Sequence, residues 1–257
     1  MVADASIEDS GIGMTKEDLI DKIGTVASSG TLEFLKNIKD KKETLNGELI
    51  GKFGVGFYSA FMVTDEITID SLYAENGSKA YKWISKGEEK YRIEESDKAS
   101  RGTKISFKFK DEHKELAEDY TVKSILEKYS NFIDFPIFVN NEEVNKVKPL
   151  WQRSKEELNA QELNEFYKFL SNDYEEPLGH LHFSIEGKIN FKALVFVQKT
   201  APPLMFTDLM NRTLSLYSSR IFIQDDCKEL LPDYMRFLRG VIDTDELPLN
   251  ISREVTQ

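Results

Sequence analysis

Hydrophobic positions change spacing along the chain, and the changes outline its elements. Ser6-Ile7-Glu8 reads as the end of a strand that breaks at Asp9-Ser10-Gly11-Ile12-Gly13. A helix is then predicted from Thr15, a side chain suited to an N-cap, with Asp18 three residues later. Leu19, Ile20 and Ile23 share one face of it, and Gly24 stops it. Ser28-Ser29-Gly30 punctuates again, and Thr31 can cap a second short helix through Leu32, Leu35 and Ile38. The polar stretch 36–48 reads as a mobile loop. It leads to Gly51-Lys52-Phe53-Gly54-Val55-Gly56-Phe57, followed by a helical run with Tyr58, Ala60, Phe61 and Met62.

Beyond Thr64 the period becomes two. Ile67 and Ile69, Tyr81 and Trp83, Tyr91 and Ile93, then Ile105, Phe107 and Phe109 alternate with polar neighbours. Turn signals at Asn76-Gly77 and Lys86-Gly87 separate these runs, which predicts an antiparallel sheet with one buried face. A helix over 122–129 and a short strand turning at Asn140-Asn141 follow. Periodicity lapses near Val147-Lys148-Pro149, where a domain boundary is expected. The second region is predicted to hold a helix over 160–170, strands over 181–185 and 189–197 joined at Glu186-Gly187, and a strand over 216–223. A last helix is predicted over 231–238, with Arg236 and Arg239 near its C-terminal end.

Composition narrows this picture. At 257 residues the chain has room for about two domains of ~150 residues each. Its net charge of −11 disfavours phosphate backbones, so broad nucleic-acid binding is not expected and any nucleotide must be held locally. Cys227 is the only cysteine, which leaves no intrachain disulfide and no cysteine-based zinc cluster. No apolar run approaches the ~20 residues of a membrane span, and the N-terminus lacks the pattern of a signal peptide. An intracellular, soluble protein without membrane or nucleic-acid partners is expected.

Two glycine segments carry the candidate chemistry. In Asp9-Ser10-Gly11-Ile12-Gly13-Met14 the glycines let the backbone approach a ligand, and the aspartate can accept a hydrogen bond from an exocyclic amine. A surface turn explains the same residues equally well. In 51–57 three glycines precede a helical run, which makes a set of amides suited to phosphate. It is not a P-loop, because Lys52 is followed by Phe53 and the glycine spacing differs. A hinge is the plain alternative, compatible with a phosphate clamp. Thr103, in Arg101-Gly102-Thr103, opens a strand and offers a hydroxyl, though a threonine there is usually structural. His180 and His182 alternate on one strand with no third ligand nearby, so no metal site is assigned. Arg253 ends a charged loop, where it is either solvated or reaches a transferring phosphate.

Taken together these segments resemble the ninety-kilodalton heat-shock chaperones (the HtpG type), which use the nucleotide fold of DNA gyrase, histidine kinases and MutL. The resemblance rests on Asp-Ser-Gly-Ile-Gly-Met, on Gly-Thr-Val-Ala-Ser-Ser-Gly-Thr from Gly24, on the 51–57 segment continuing into Phe-Tyr-Ser, and on Arg-Gly-Thr. In the second half Pro149-Leu150-Trp151, Glu165-Phe166-Tyr167, Ser171-Asn172-Asp173 and Leu247-Pro248-Leu249-Asn250-Ile251-Ser252-Arg253-Glu254 resemble that family's middle domain. Lys128-Tyr129-Ser130-Asn131-Phe132 and Leu216-Tyr217-Ser218 lean towards the mitochondrial-type branch, which has bacterial members.

The implied fold is α+β: residues 1–147 as part of an N-terminal ATP-binding sandwich, an antiparallel sheet with helices on one face, and 148–257 as part of an α/β middle domain. Asp9 is expected to bind the adenine amino group, Gly13 and Met14 to line the base, and Thr103 to back it. Lys22 stands at a position near the nucleotide that is often Asn in the family, and Ser28 where a basic residue is common. Gly51, Phe53, Gly54, Val55, Gly56 and Phe57 are expected to place amides on the phosphates, and Arg253 to reach the γ-phosphate.

The family's Asn-x-x-Asp-Ala helix, which helps hold magnesium, and the glutamate that polarises the attacking water are expected to precede residue 1. The C-terminal dimerisation domain is expected to follow residue 257. On that expectation the chain hydrolyses ATP no better than background, and the loss exposes apolar faces near Leu19 and Leu32. The implied function is an ATP-dependent chaperone with ATP and Mg2+ as cofactors. Its implied partners are unfolded clients and co-chaperones, and the parent protein is expected to form a homodimer through the C-terminal dimerisation domain. It is expected in the bacterial cytoplasm, or in the mitochondrial matrix if eukaryotic. A non-enzymatic protein-binding fragment with a defective pocket is the alternative.

Overall fold

The computed structural model describes residues 4–24, 56–88, 90–187, 190–200, 214–225, 230–235 and 237–244. Its contacts divide the chain between Val122 and Lys123 into two compact units.

The first unit is built on one five-stranded antiparallel sheet. Its strands are β1 (Asp4–Glu8), β2 (Thr64–Leu72), β3 (Ala80–Ser85), β4 (Tyr91–Ser96) and β5 (Gly102–Phe109), in the order β1-β5-β2-β3-β4. The alternating residues behave as their pattern predicts. Ile67, Ile69 and Trp83 point to the same face and are buried there, with Ile93, Ile105 and Phe107 packed around them. The opposite face carries the polar partners, such as Lys104 beside Glu8 and Asp70.

Against the buried face lies α1 (Lys16–Asp18), which runs into a π-helical turn over Leu19–Ile23. Thr15 caps it as predicted: its hydroxyl accepts from the Asp18 amide, and the Asp18 carboxylate accepts from the Thr15 amide, closing a capping box. The Gly24 amide donates to Leu19 O, which closes the wide turn. Near Leu19 the expected exposure falls on its neighbour Ile20, which is exposed, whereas Leu19 itself is 0% exposed and packs onto Ile67, Ile69 and Trp83. Leu32 lies outside the described residues.

The helical run after Gly56 is a 3-10 helix (Gly56–Met62). The Ser59 hydroxyl donates to Gly56 O at 2.6 Å and so competes for a helical carbonyl, which favours the tighter winding. Tyr58 fastens this segment by donating its hydroxyl to Ile23 O.

Helix α2 (Asp119–Tyr129) spans the point of division. In the second unit a hairpin of β6 (Phe138–Val139) and β7 (Glu142–Glu143) turns at Asn140 and Asn141, both with positive φ, as the Asn-Asn signal predicts. Helix α3 (Ala160–Ser171) is capped by Asn159 in a second capping box. A mixed sheet follows, of β8 (Gly179–Ile185), β9 (Phe191–Val197), β10 (Leu214–Ser218), β11 (Ile221–Gln224) and β12 (Leu238–Asp243), in the order β11-β10-β12-β9-β8. Only the β10–β12 pair in it is parallel.

Two expectations are corrected here. Among the described residues the last helix is not formed: a 3-10 turn covers Asp233–Met235, and β12 begins at Leu238, inside the predicted span. Leu238, the last residue of the predicted helix, is instead the first of β12 and pairs with Val197 of β9, so strand pairing claims the end of the helical pattern. The predicted strand over 216–223 is two strands, joined by Ser219 and Arg220 at φ 50° and 64°. Neither is a usual left-handed residue, and the turn is held because the Arg220 amide donates to the Asp243 carboxylate at 3.2 Å.

Candidate functional site

At one end of the first sheet, the turn after β1 meets the start of β5 and the end of β2. Asp9 is fixed by its own turn: Oδ1 accepts from the Gly11 amide at 2.8 Å and from the Thr103 amide at 3.3 Å. Its backbone amide donates in return to Thr103 O at 2.9 Å. Among the described residues the other carboxylate oxygen, Oδ2, accepts no hydrogen bond, and Asp9 is exposed.

Two glycines make this closeness feasible. Gly13 has φ +66°, and a Cβ there would lie 2.0 Å from Leu72 O. Gly102 has φ +111°, and its Cβ would lie 2.1 Å from Asp9 O. The loop is also tied to the segment that follows β2, because Ile12 O accepts from the Ala74 amide at 2.8 Å.

Behind the turn lies Ser71. Its hydroxyl accepts from the Met14 amide at 2.9 Å, lies 2.9 Å from the Thr103 hydroxyl, and is 3.3 Å from Gly102 O. Of the predicted residues, Asp9, Gly13, Met14 and Thr103 are thus brought into one cluster. Met14 sends its side chain into the core below.

Other predicted residues stand elsewhere. Lys22 lies on the π-helical turn and pairs with Asp18 at 2.7 Å. Gly56 opens the 3-10 helix, with open space where a Cβ would stand. The Phe57 ring packs edge-on to Trp83, with centroids 5.8 Å apart, and so serves the core. Gly51, Phe53, Gly54, Val55 and Arg253 lie outside the described residues, as do Ser28 and Cys227.

Sequence reasoning missed Ser71 and Gly102. Ser71 continues the inward row of Ile67 and Ile69, and a serine on a buried face was the available signal. Gly102 was visible in Arg101-Gly102-Thr103 but was given no part. His180 and His182 lie on β8, where a His182 ring nitrogen is 3.2 Å from Trp151 O. No group of three or more His, Cys, Asp or Glu able to hold a metal occurs among the described residues.

Chemically, the cluster presents a carboxylate oxygen that can accept, a hydroxyl beside it, and a backbone held close by glycines. The class these features define is an ATPase domain on an antiparallel sheet, and residues 2–121 match the model of the histidine kinase-, DNA gyrase B- and HSP90-like ATPase family. Residues 138–257 match the model of Hsp90 protein. The chain belongs to the ninety-kilodalton heat-shock (Hsp90) family.

It is 52% identical to the chaperone protein HtpG of Chlorobium chlorochromatii (strain CaD3) over 254 residues, which cover 98% of this chain and 40% of that protein. It is 54% identical to HtpG of Chlorobium phaeobacteroides over 254 residues, 98% of this chain and 41% of that one. For HtpG of Geobacter sulfurreducens the identity is 41% over 278 residues, 98% and 43% of the two chains. The chain spans about two fifths of the length of these curated relatives.

Proposed function

We propose that the chain supplies the adenine-reading site and the middle-domain portion of an ATP-dependent chaperone of the HtpG type. The single observation that carries this reading is the Asp9 carboxylate: one oxygen is fixed by the Gly11 and Thr103 amides, and the other accepts no bond among the described residues. A carboxylate held in this way offers a directed acceptor to an exocyclic amine, and a hydrogen bond to a charged group contributes about 1.5–3 kcal/mol.

In this proposal Gly13 and Met14 line the base and Thr103 backs it. The amides of 51–57 meet the phosphates, and Arg253 reaches the terminal one, where a guanidinium can stabilise developing charge. Lys22 lies near the nucleotide. Magnesium is assigned no ligand in the chain and would arrive with the triphosphate. Nucleotide binding would drive domain movements that remodel partly folded client proteins, with co-chaperones and a homodimer as further partners, in a bacterial cytoplasm. Family membership and the names of the relatives support this reading. Among the described residues no helix is long and apolar enough to cross a membrane.

Calorimetry with ADP and ATP tests the reading: micromolar binding supports it, and no heat with either nucleotide overturns it. One observation favours the alternative of a protein-binding module without nucleotide. Leu181, Phe183 and Ile185 follow one another on the same side of the edge strand β8, and all three are exposed. An apolar row on a sheet edge is suited to a protein partner. Absent nucleotide binding together with retained client binding would select that alternative.

A further inference from the structure

We infer that Ser71 is a positioning residue that sets the direction of the Thr103 hydroxyl, and through it the preference of the site for a 6-amino over a 6-oxo purine. The inference rests on the nucleotide reading above.

Ser71 is 0% exposed and stands on the inward row of β2 after Ile67 and Ile69. A buried hydroxyl costs stability unless it is satisfied, and this one has three partners for a single proton. It must accept from the Met14 amide, which has no lone pair to offer. Its own proton can then go to Thr103 Oγ1 at 2.9 Å or to Gly102 O at 3.3 Å. The shorter separation favours Thr103. With that lone pair of Thr103 engaged, the Thr103 hydrogen turns away from Ser71 and is presented as a donor.

Beside this donor stands the Asp9 carboxylate, which takes the Thr103 amide on Oδ1 and keeps Oδ2 for a ligand. A donor next to an acceptor complements the ring nitrogen and amino group of a 6-amino purine. A 6-oxo purine presents the reverse order, an N–H beside a carbonyl. Without the Ser71 hydroxyl, Thr103 can turn either way and tolerates both patterns. Asp9 alone then discriminates, and the Met14 amide loses its buried partner.

The experiment is isothermal titration of the full chain with ADP and with IDP, for the wild type, S71A, S71C and S71T. S71C keeps the shape with a poor donor, and S71T keeps the hydroxyl. The wild type is expected to prefer ADP. The preference should narrow by about fivefold in S71A and S71C, the worth of one neutral hydrogen bond, and return in S71T. If S71A does not fold, S71C carries the test. Equal weakening of both nucleotides, with the ratio unchanged, reduces Ser71 to a purely structural role and overturns the inference alone. Loss of the preference in S71T as well overturns it too. No binding of either nucleotide by the wild type overturns the nucleotide reading, and the inference falls with it.

Discussion

Asp9 and Thr103 bind each other in both directions: the Asp9 amide donates to Thr103 O at 2.9 Å, and the Thr103 amide donates to Asp9 Oδ1 at 3.3 Å. The turn after β1 and the first residues of β5 therefore move as one piece, although the two residues are far apart in sequence. A carboxylate held by backbone on two sides has few rotamers left, so it meets a ligand already oriented.

The two glycines of this cluster are predicted to be irreplaceable for steric reasons. Gly13→Ala and Gly102→Ala would each push a Cβ to about 2 Å from a backbone oxygen at a positive φ. Each should lower stability by about 1–3 kcal/mol, read as a lower midpoint in urea unfolding. Gly77→Ala makes a useful control, since it has a similar φ with open space around it, and should cost less.

Helix α1 should depend on acid through Asp18. Burial raises the Asp18 pKa, but the Lys22 ion pair and the Thr15 hydrogen bonds outweigh it and leave the carboxyl below its ordinary value. Its contribution is therefore fully present above the unfolded value of ~3.9 and is lost as pH falls through the lowered folded value. Asp18→Asn is expected to flatten this part of the stability curve below about pH 4. Thr15→Ala should cost about 1 kcal/mol at neutral pH. Thermal melts across pH 3–7 check both, and an unchanged acid slope in Asp18→Asn would count against the assignment.

In the second unit Asp243 gathers three elements. Its carboxylate accepts from Trp151 Nε1 at 2.8 Å, from Gln152 Nε2 at 2.8 Å and from the Arg220 amide at 3.2 Å. Removing it strands buried donors, so Asp243→Ala should destabilise this unit by about 2–4 kcal/mol. Near-UV dichroism should also change, because Trp151 packs against Phe132 and Tyr217. Unchanged unfolding of this unit in the variant would contradict the assigned role.

Much of the architecture was legible in the sequence. Ile67, Ile69, Trp83, Ile105 and Phe107 alternate because one face of their sheet is buried, and the Thr15 and Asn140-Asn141 signals act locally. What could not be read depends on distant partners. The Ser219-Arg220 turn uses residues that rarely adopt positive φ and is held by Asp243, and β12 forms because β9 and β10 flank it. Within the site, the Asp9 turn and Thr103 were visible as motifs. Ser71 stands out only once its strand is known to carry it inward, between Met14 and Thr103. Phe57 belongs to a motif read as phosphate-binding, yet its ring is drawn into the core by Trp83.

The most direct test of the account is a paired titration of ADP into the wild-type chain and into Asp9→Asn. Asparagine keeps an acceptor for the Gly11 and Thr103 amides but turns the other oxygen into a donor, so the fold should survive and only the purine contact should reverse. The account predicts saturable binding to the wild type and at least about a tenfold weaker affinity for Asp9→Asn, with unchanged melting of the free proteins. Equal affinity in the two proteins would contradict it.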